Sequence, residues 1–255
     1  MLKTRVIPCL LLKDWGLVKT VRFQNPSYVG DPINTVRIFN EKEVDELIFL
    51  DIRATIERRK PSFKILSEIA SECFMPVAYG GGIRSIEDIR TILNFGIEKV
   101  AINTYAIENP EFIREAADAF GSQSIVVSID AKKDGFSRYK IHTSSEKNIG
   151  ELDPVQQAVK VEQLGAGEIL LTSVERDGRM EGYDIELIRK VSYAVGIPVI
   201  ACGGAGQISD FAEAVRSGGA SAAAAGSMFV YQGRNRAVLI NFPIKKELEE
   251  VLGEP

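Results

Sequence analysis

Eight short runs of apolar, β-favouring residues recur along the 255-residue chain, and segments with helical periodicity separate them. The β-rich runs are residues 5–12, 46–51, 76–79, 99–102, 125–130, 168–172, 198–201 and 221–225. The helical segments include residues 85–95, 110–120, 153–164, 184–194 and 207–217. Eight strands that alternate with crossover helices, without a break in composition, favour a closed barrel over an open sheet. We therefore predict an α/β fold, a single (β/α)8 barrel domain over residues 1–255.

The second half of the chain repeats the first. Pro76 and the glycines at 80–82 align without gaps with Pro198 and residues 202–204, and Glu46 aligns with Glu168 in the same register. Repetition of this kind indicates a chain assembled from repeated structural units. The barrel is therefore predicted to consist of two half-barrels that present paired sites across a pseudo-twofold axis.

Charge balance and cysteine spacing exclude several classes of protein. The formal charge of -4, from 31 basic and 35 acidic residues, provides no basic field for nucleic acid or a membrane surface. The three cysteines lack C-x-x-C spacing, so neither a disulfide framework nor a zinc site is indicated, and we predict no metal and no cofactor. Without a secretion signal or an apolar run of the ~18 residues that span a membrane, a cytoplasmic protein is expected.

Two connections are longer than the rest. Residues 13–31, which include Lys19, exceed the ~12–15 residues beyond which a structureless connection usually serves as a lid or a binding loop. We interpret this segment as a mobile cover. Residues 132–151 contain an alternating stretch at 138–142 that predicts a small hairpin beside the site. The only histidine, His142, lies there and is expected to be an exposed hairpin residue rather than a catalyst.

Glycine clusters follow matching strands in the two halves. In a (β/α)8 barrel the functional loops follow the carboxyl ends of the strands, and bare backbone N–H groups that precede a helix can bind phosphate. The candidates at these positions are Gly81, Gly82, Asn103, Thr104, Gly203, Gly204, Gly226 and Ser227. Glycines can also serve only to make tight turns, but the repeated pair favours the functional interpretation. Two such sites imply a substrate with a phosphate at each end.

Carboxylates at strand ends are the candidates for proton transfer, because the chain lacks a usable histidine. Asp130 ends the apolar run 125–129, and hydrophobic walls can raise the pKa of such a carboxyl toward a catalytically useful value. We predict that Asp130 is catalytic. Asp51, and Asp177 in the loop 176–178, are equally compatible with a cap or loop hydrogen bond and with a substrate contact.

Four charged residues stand at strand starts, at the opposite end of the barrel. They are Arg5, Glu46, Lys99 and Glu168. Charges at these positions either form surface ion pairs, which contribute little to stability, or point inward and plug an axial passage. Spacing alone leaves both interpretations open.

Motifs over nearly the whole chain resemble the cyclase subunit of imidazole glycerol phosphate synthase. They include residues 5–10, 45–51, 80–83, 129–132, 165–173, 176–178 and 203–206. In that family an ammonia-dependent lyase barrel receives ammonia from a glutaminase docked under its floor and cyclises a bisphosphorylated ribulosyl-formimino substrate. The resemblance implies an ammonia gate at the four charged strand starts and Asp130 as one of two catalytic aspartates. It also places Lys19 in the flexible loop over the site, and we predict that Lys19, Asp177 and Gly178 bind the substrate or its phosphates.

One position departs from the family pattern. The second catalytic aspartate belongs at position 11, which is Leu11 here. Strand alternation places Arg5, Cys9 and Leu11 on one face, so Leu11 is expected inside the site. With residues 16–20 and 236–243, this pattern is similar to paralogues found with surface-polysaccharide genes, which work with a glutaminase and a sugar amidotransferase that makes acetamidino sugars.

Three hypotheses follow. The first is an ammonia-handling barrel that serves sugar amidination with a glutaminase and an amidotransferase. The second is a histidine-biosynthesis cyclase that forms imidazole glycerol phosphate and AICAR, with Asp130 assisted by another group such as Asp51 or Asp14. The third is a phosphosugar isomerase that needs no partner, and a non-catalytic scaffold also remains open.

Overall fold

The computed structural model describes residues 4–143, 152–233 and 235–253. Its strands in chain order are β1 (Arg5–Lys13), β2 (Gly16–Val21), β3 (Gln24–Gly30), β4 (Leu47–Asp51), β5 (Val77–Gly80), β6 (Lys99–Ile102), β7 (Ile125–Lys133), β8 (Tyr139–His142), β9 (Glu168–Ser173), β10 (Val199–Cys202), β11 (Ala222–Ala225), β12 (Tyr231–Gln232) and β13 (Ala237–Val238). Strands β1, β4, β5, β6, β7, β9, β10 and β11 pair in parallel in this order, and β11 pairs with β1 to close the ring. The predicted (β/α)8 barrel is confirmed.

Helices surround the barrel and pack their apolar faces against it. They are α1 (Pro32–Glu41), α2 (Phe63–Glu72), α3 (Ile86–Asn94), α4 (Thr104–Glu108), α5 (Glu111–Phe120), α6 (Pro154–Gln163), α7 (Ile185–Ser192), α8 (Ile208–Arg216), α9 (Ser227–Val230) and α10 (Lys245–Leu252). The predicted segments begin one residue earlier where a capping side chain, such as Ser85 or Asp153, accepts a backbone N–H of the first turn. None of the helices in the described ranges has the length and hydropathy needed to cross a bilayer.

A second, smaller core fills the inside of the barrel. Its members are Ile7, Cys9, Ile48, Ala78, Ala101, Val126, Leu170, Ile200, Ala222 and Ala224. They occupy alternate positions along the strands, because successive side chains of a strand point to opposite faces. This layer separates the charged residues at the strand starts from the loops at the strand ends.

Both long connections continue barrel strands as antiparallel hairpins. Residues 13–31 form β2 and β3, and β2 pairs with β1, where Leu11 lies opposite Val18. The predicted cover is thus an ordered hairpin, and its mobility stays a prediction. In the second insertion β7 pairs with β8, where Asp130 lies opposite His142, whereas residues 144–151 of this predicted hairpin are outside the described ranges.

Candidate functional site

A cavity of about 300 Å³ opens at the carboxyl ends of the barrel strands. Its wall includes every residue that the sequence assigned to catalysis or substrate binding. These residues are Lys19, Gly81, Gly82, Asn103, Thr104, Asp130, Asp177, Gly178, Gly203, Gly204, Gly226 and Ser227. Turns from both half-barrels therefore face one common space, as a substrate with two anionic ends would require.

The glycine turns are sterically required at two matching places. A Cβ atom on Gly81, at φ +127°, would lie 2.6 Å from the carbonyl oxygen of Asp51. A Cβ atom on Gly203, at φ +86°, would lie 2.7 Å from the carbonyl oxygen of Ser173. The tight turns therefore suffice to explain why these two positions are glycine. The turns also line the cavity and precede α3 and α8, so both interpretations apply to the same residues.

Lys19 brings a positive charge to one end of the cavity. This residue of β2 is buried, and its Nζ donates a hydrogen bond to the Cys9 carbonyl at 2.8 Å. A Cβ atom on Gly226 would lie 1.7 Å from that Nζ, so the ammonium can rest there only because residue 226 has no side chain. The ammonium therefore lies against the backbone that was predicted to bind phosphate.

Asp130 is a partly buried carboxyl with polar partners. Asn103 Nδ2 donates to its Oδ2 at 2.8 Å, and Thr172 also hydrogen-bonds to it. Burial raises the pKa of Asp130 to about 7, and the negative charge of Asp177 acts in the same direction, whereas the two hydrogen bonds oppose the shift. A carboxyl with this pKa exchanges a proton readily near neutral pH, as general acid–base catalysis requires.

The raised pKa of Asp130 predicts a specific pH dependence of stability. The unfolded carboxyl ionises near 3.8 and the folded one at about 7, so the folded state binds more protons between these values and stability falls as the pH rises through them. From pH 5 to pH 8 the wild type should lose about 2–3 kcal/mol more unfolding free energy than Asp130→Asn. Urea denaturation at both pH values measures this difference, and parallel pH profiles of the two proteins would contradict it.

Asp177 and Asp51 form loop hydrogen bonds. Asp177 Oδ2 accepts from the Thr20 hydroxyl at 2.8 Å and from the Phe23 N–H at 3.3 Å, which ties the β2–β3 hairpin to the loop after β9. Asp51 accepts from the backbone N–H of Ala54 at 3.1 Å and forms an ion pair with Arg59. The loop role that the sequence left open for both residues is therefore present, although both also line the cavity.

Leu11 lies in the cavity wall, as strand alternation predicted. Sequence reasoning missed Thr172 and Cys202, which line the same wall. Thr172 pairs with Asp130 in the register of β7 and β9, a relation that aligning the two strand ends would have revealed. Cys202 hydrogen-bonds to Cys9, and this bond together with burial raises the pKa of the Cys202 thiol. With Leu11, these thiols make this side of the cavity weakly polar.

The four charged strand starts form an inward ring at the floor of the barrel. Arg5 donates to both Glu46 and Glu168, and Lys99 Nζ lies 3.0 Å from Glu46 Oε1 and 3.0 Å from Glu168 Oε2. Glu46 is 2% exposed and Glu168 is 6% exposed. These contacts identify one closed ring of alternating charge rather than separate surface ion pairs.

His142 is not the exposed residue that the sequence predicted. Its ring is partly buried and lies 5.8 Å from the Phe23 ring, centroid to centroid. The difference arises because the tip of the β2–β3 hairpin packs against β8, a contact between distant segments that local alternation does not reveal. In the part of the chain that the structure describes, no group of His, Cys, Asp and Glu is arranged to hold a metal ion.

Comparison with known proteins identifies similar chains. Residues 5–235 match the family described as "Histidine biosynthesis protein". The chain is 49% identical over 249 residues to the "Putative imidazole glycerol phosphate synthase subunit hisF2" of Pseudomonas aeruginosa, an alignment that covers 98% of this chain and 99% of the relative. It is 46% identical over 253 residues to the "Putative imidazole glycerol phosphate synthase subunit HisF" of Leptospira interrogans, with 98% of each chain covered. Identity to the "Putative imidazole glycerol phosphate synthase subunit hisF3" of Vibrio vulnificus is 44% over 253 residues, with 99% of this chain and 97% of the relative covered.

Proposed function

Because the chain belongs to the histidine biosynthesis protein family, among whose members it is similar to imidazole glycerol phosphate synthase subunits, we propose that it is an ammonia-handling barrel that works with a glutaminase and serves sugar amidination. The observation that carries this proposal is the apolar Leu11 in the wall of a cavity that also holds the partly buried carboxyl of Asp130. The cavity has the glycine turns that we propose bind phosphate, as in a cyclase. Of the two aspartates that would transfer protons in a cyclase, it has only Asp130.

The floor of the barrel suits the entry of ammonia. The ring of Arg5, Glu46, Lys99 and Glu168 contains two positive and two negative charges, so it presents no net charge to a passing molecule. Above it lies the apolar inner core, which opposes a charged ammonium ion far more than neutral ammonia. Since the ring is closed, ammonia passes only when one of its side chains moves aside. A glutaminase docked beneath the floor is the partner that would supply the ammonia and move that side chain.

The upper cavity suits a phosphorylated ligand. Glycine turns from both halves, with Lys19 beside Gly226, would bind an anion at each end. Asp130 lies in the same cavity, where it would accept or donate one proton at a time. Cyclisation of the bisphosphorylated substrate calls for both an acid and a base, and Leu11 supplies neither. We therefore propose that ammonia leaves this cavity for an acceptor sugar held by an amidotransferase.

An assay with ammonium salt tests this proposal without the glutaminase. The purified barrel should form imidazole glycerol phosphate from the bisphosphorylated formimino substrate at about 1% or less of the rate of a family member with aspartate at the position of Leu11. Product formation is followed by chromatography, with that family member as the positive control. Formation at a comparable rate would contradict the amidination role and establish the alternative, a histidine-biosynthesis cyclase.

Purification from native cells distinguishes the remaining alternative. A glutaminase should accompany the barrel, and a sugar amidotransferase should join the same complex. A barrel that purifies alone and isomerises a phosphosugar would instead identify the partner-free isomerase.

A further inference from the structure

A second cavity of about 470 Å³ lies beside the first, between the tip of the β2–β3 hairpin, the β7–β8 hairpin and the loop after β9. It is lined by Arg22, Phe23, Gln24, Lys132, His142, Val174 and Glu175. Phe23 also lines the principal cavity, so one ring forms part of both walls. The proposed ammonia chemistry uses none of the polar side chains of this second cavity.

The wall of the second cavity carries a net positive charge. Arg22 and Lys132 contribute two cations, and Glu175 contributes one carboxylate. Within the described ranges neither cation has an ion-pair partner, whereas the neighbouring Lys133 pairs with Glu186 at 3.3 Å. Two cations without an ion-pair partner among the described residues, on adjoining elements, are suited to a doubly charged acidic group.

Two aromatic rings stand beside these cations. The ring centroids of Phe23 and His142 lie 5.8 Å apart, and the angle between the ring planes is 56°. Burial lowers the pKa of His142, and the positive charge of Lys132 lowers it further, so the imidazole is mainly neutral at pH 7 and acts as a ring rather than as a third cation. A flat ligand ring would find an aromatic surface here.

The hairpin tip is held in a conformation that its residues do not favour. Arg22 and Phe23 have φ angles of 53° and 61°, in a two-residue turn where glycine and asparagine are usual. Asp177 fixes this turn, because its carbonyl accepts the Arg22 N–H at 3.0 Å and its Oδ2 accepts the Phe23 N–H at 3.3 Å. Unfavourable backbone that is retained in this way points to a use for the side chains it presents.

We infer that the second cavity binds a planar, acidic ligand of the nucleoside monophosphate class. The phosphate lies between Arg22 and Lys132, the base packs against Phe23 and His142, and an exocyclic amine of the base donates to Glu175. Occupancy is coupled to the principal cavity, because the hairpin that supplies Arg22 and Phe23 also supplies Lys19. This inference does not depend on the proposed function, since Arg22, Lys132 and Glu175 lie outside the principal cavity and the inference holds for either cyclase-family reaction.

Because His142 is the only histidine in the chain, its imidazole C–H resonances in untagged protein report on this cavity directly. AMP should shift these resonances with saturation, and adenosine or inorganic phosphate alone should bind at least 10-fold more weakly. Lys132→Ala should raise the Kd for AMP about 10-fold. Arg22→Asn should do the same, since asparagine tolerates the positive φ of the turn.

Lys133→Ala is the matched control, because it removes the same charge one residue away on the other face of β7 and should leave the Kd for AMP unchanged. Circular dichroism of each variant confirms that it is folded. Three outcomes would overturn the inference: no saturable shift with millimolar AMP, equal binding of inorganic phosphate and AMP, or an equal loss of affinity in Lys132→Ala and Lys133→Ala.

Discussion

Leu11→Asp is expected to raise the ammonia-dependent formation of imidazole glycerol phosphate by about 100-fold or more, because a positioned proton-transfer group typically contributes 100- to 10,000-fold. Residue 11 lines the same cavity as Asp130, so the new carboxylate joins the existing carboxyl in one site. Two interacting carboxyl groups in one cavity lose their protons at different pH values, so one can act as an acid while the other acts as a base. The measurement is kcat/KM with ammonium salt and the bisphosphorylated substrate.

The matched control for this gain is Leu11→Asn, because asparagine has a shape and polarity similar to those of aspartate but transfers no proton at neutral pH. It should leave the rate near that of the wild type. Adding Asp130→Asn to the Leu11→Asp protein should remove most of the gain, because the pair is again reduced to one carboxyl. A Leu11→Asp protein that is folded but no faster than Leu11→Asn would show that other parts of the cavity have diverged from cyclase chemistry.

The barrel itself could be predicted because its strands are short apolar runs bounded by polar turns. The run at 99–102 coincides with β6, and α3 and α6 each begin one residue after the predicted start, where Ser85 and Asp153 are the capping residues. Hydrophobic periodicity placed the strand end too early where a strand continues into a hairpin. Strands β1 and β7 extend to Lys13 and Lys133 because the antiparallel partners β2 and β8 supply hydrogen bonds there, and the identity of those partners depends on tertiary contacts.

The candidate site was partly predictable for a similar reason. Parallel strands of a barrel have their carboxyl ends at the same edge, so the residues that follow them must lie close together. The glycine turns and Asp130 accordingly line one cavity. The hydrogen bond from Asn103 to Asp130 and the tether from Asp177 to Phe23 depend on side-chain directions that spacing does not determine. Position 11 was found only because strand alternation could be combined with a family pattern.

Arg5→Met is expected to lower the free energy of unfolding by about 3 kcal/mol, since breaking a buried ion pair by removing one partner leaves an uncompensated charge. Arg5 contacts both Glu46 and Glu168, whose side chains are 3% and 7% exposed. Without the guanidinium these two buried carboxylates share only Lys99, and each loses a charged hydrogen-bond donor. Urea denaturation at neutral pH and low salt measures the loss.

The double variant Arg5→Met/Glu168→Gln separates this charge effect from a loss of packing. It restores the balance of one cation and one anion, on Lys99 and Glu46, so it should regain about half of the stability that Arg5→Met loses. Glu168→Gln alone should be destabilising, because it leaves Arg5 and Lys99 with a single carboxylate. If the two single losses simply added in the double variant, the four side chains would not act as one coupled ring, and the proposed gate would lose its physical basis.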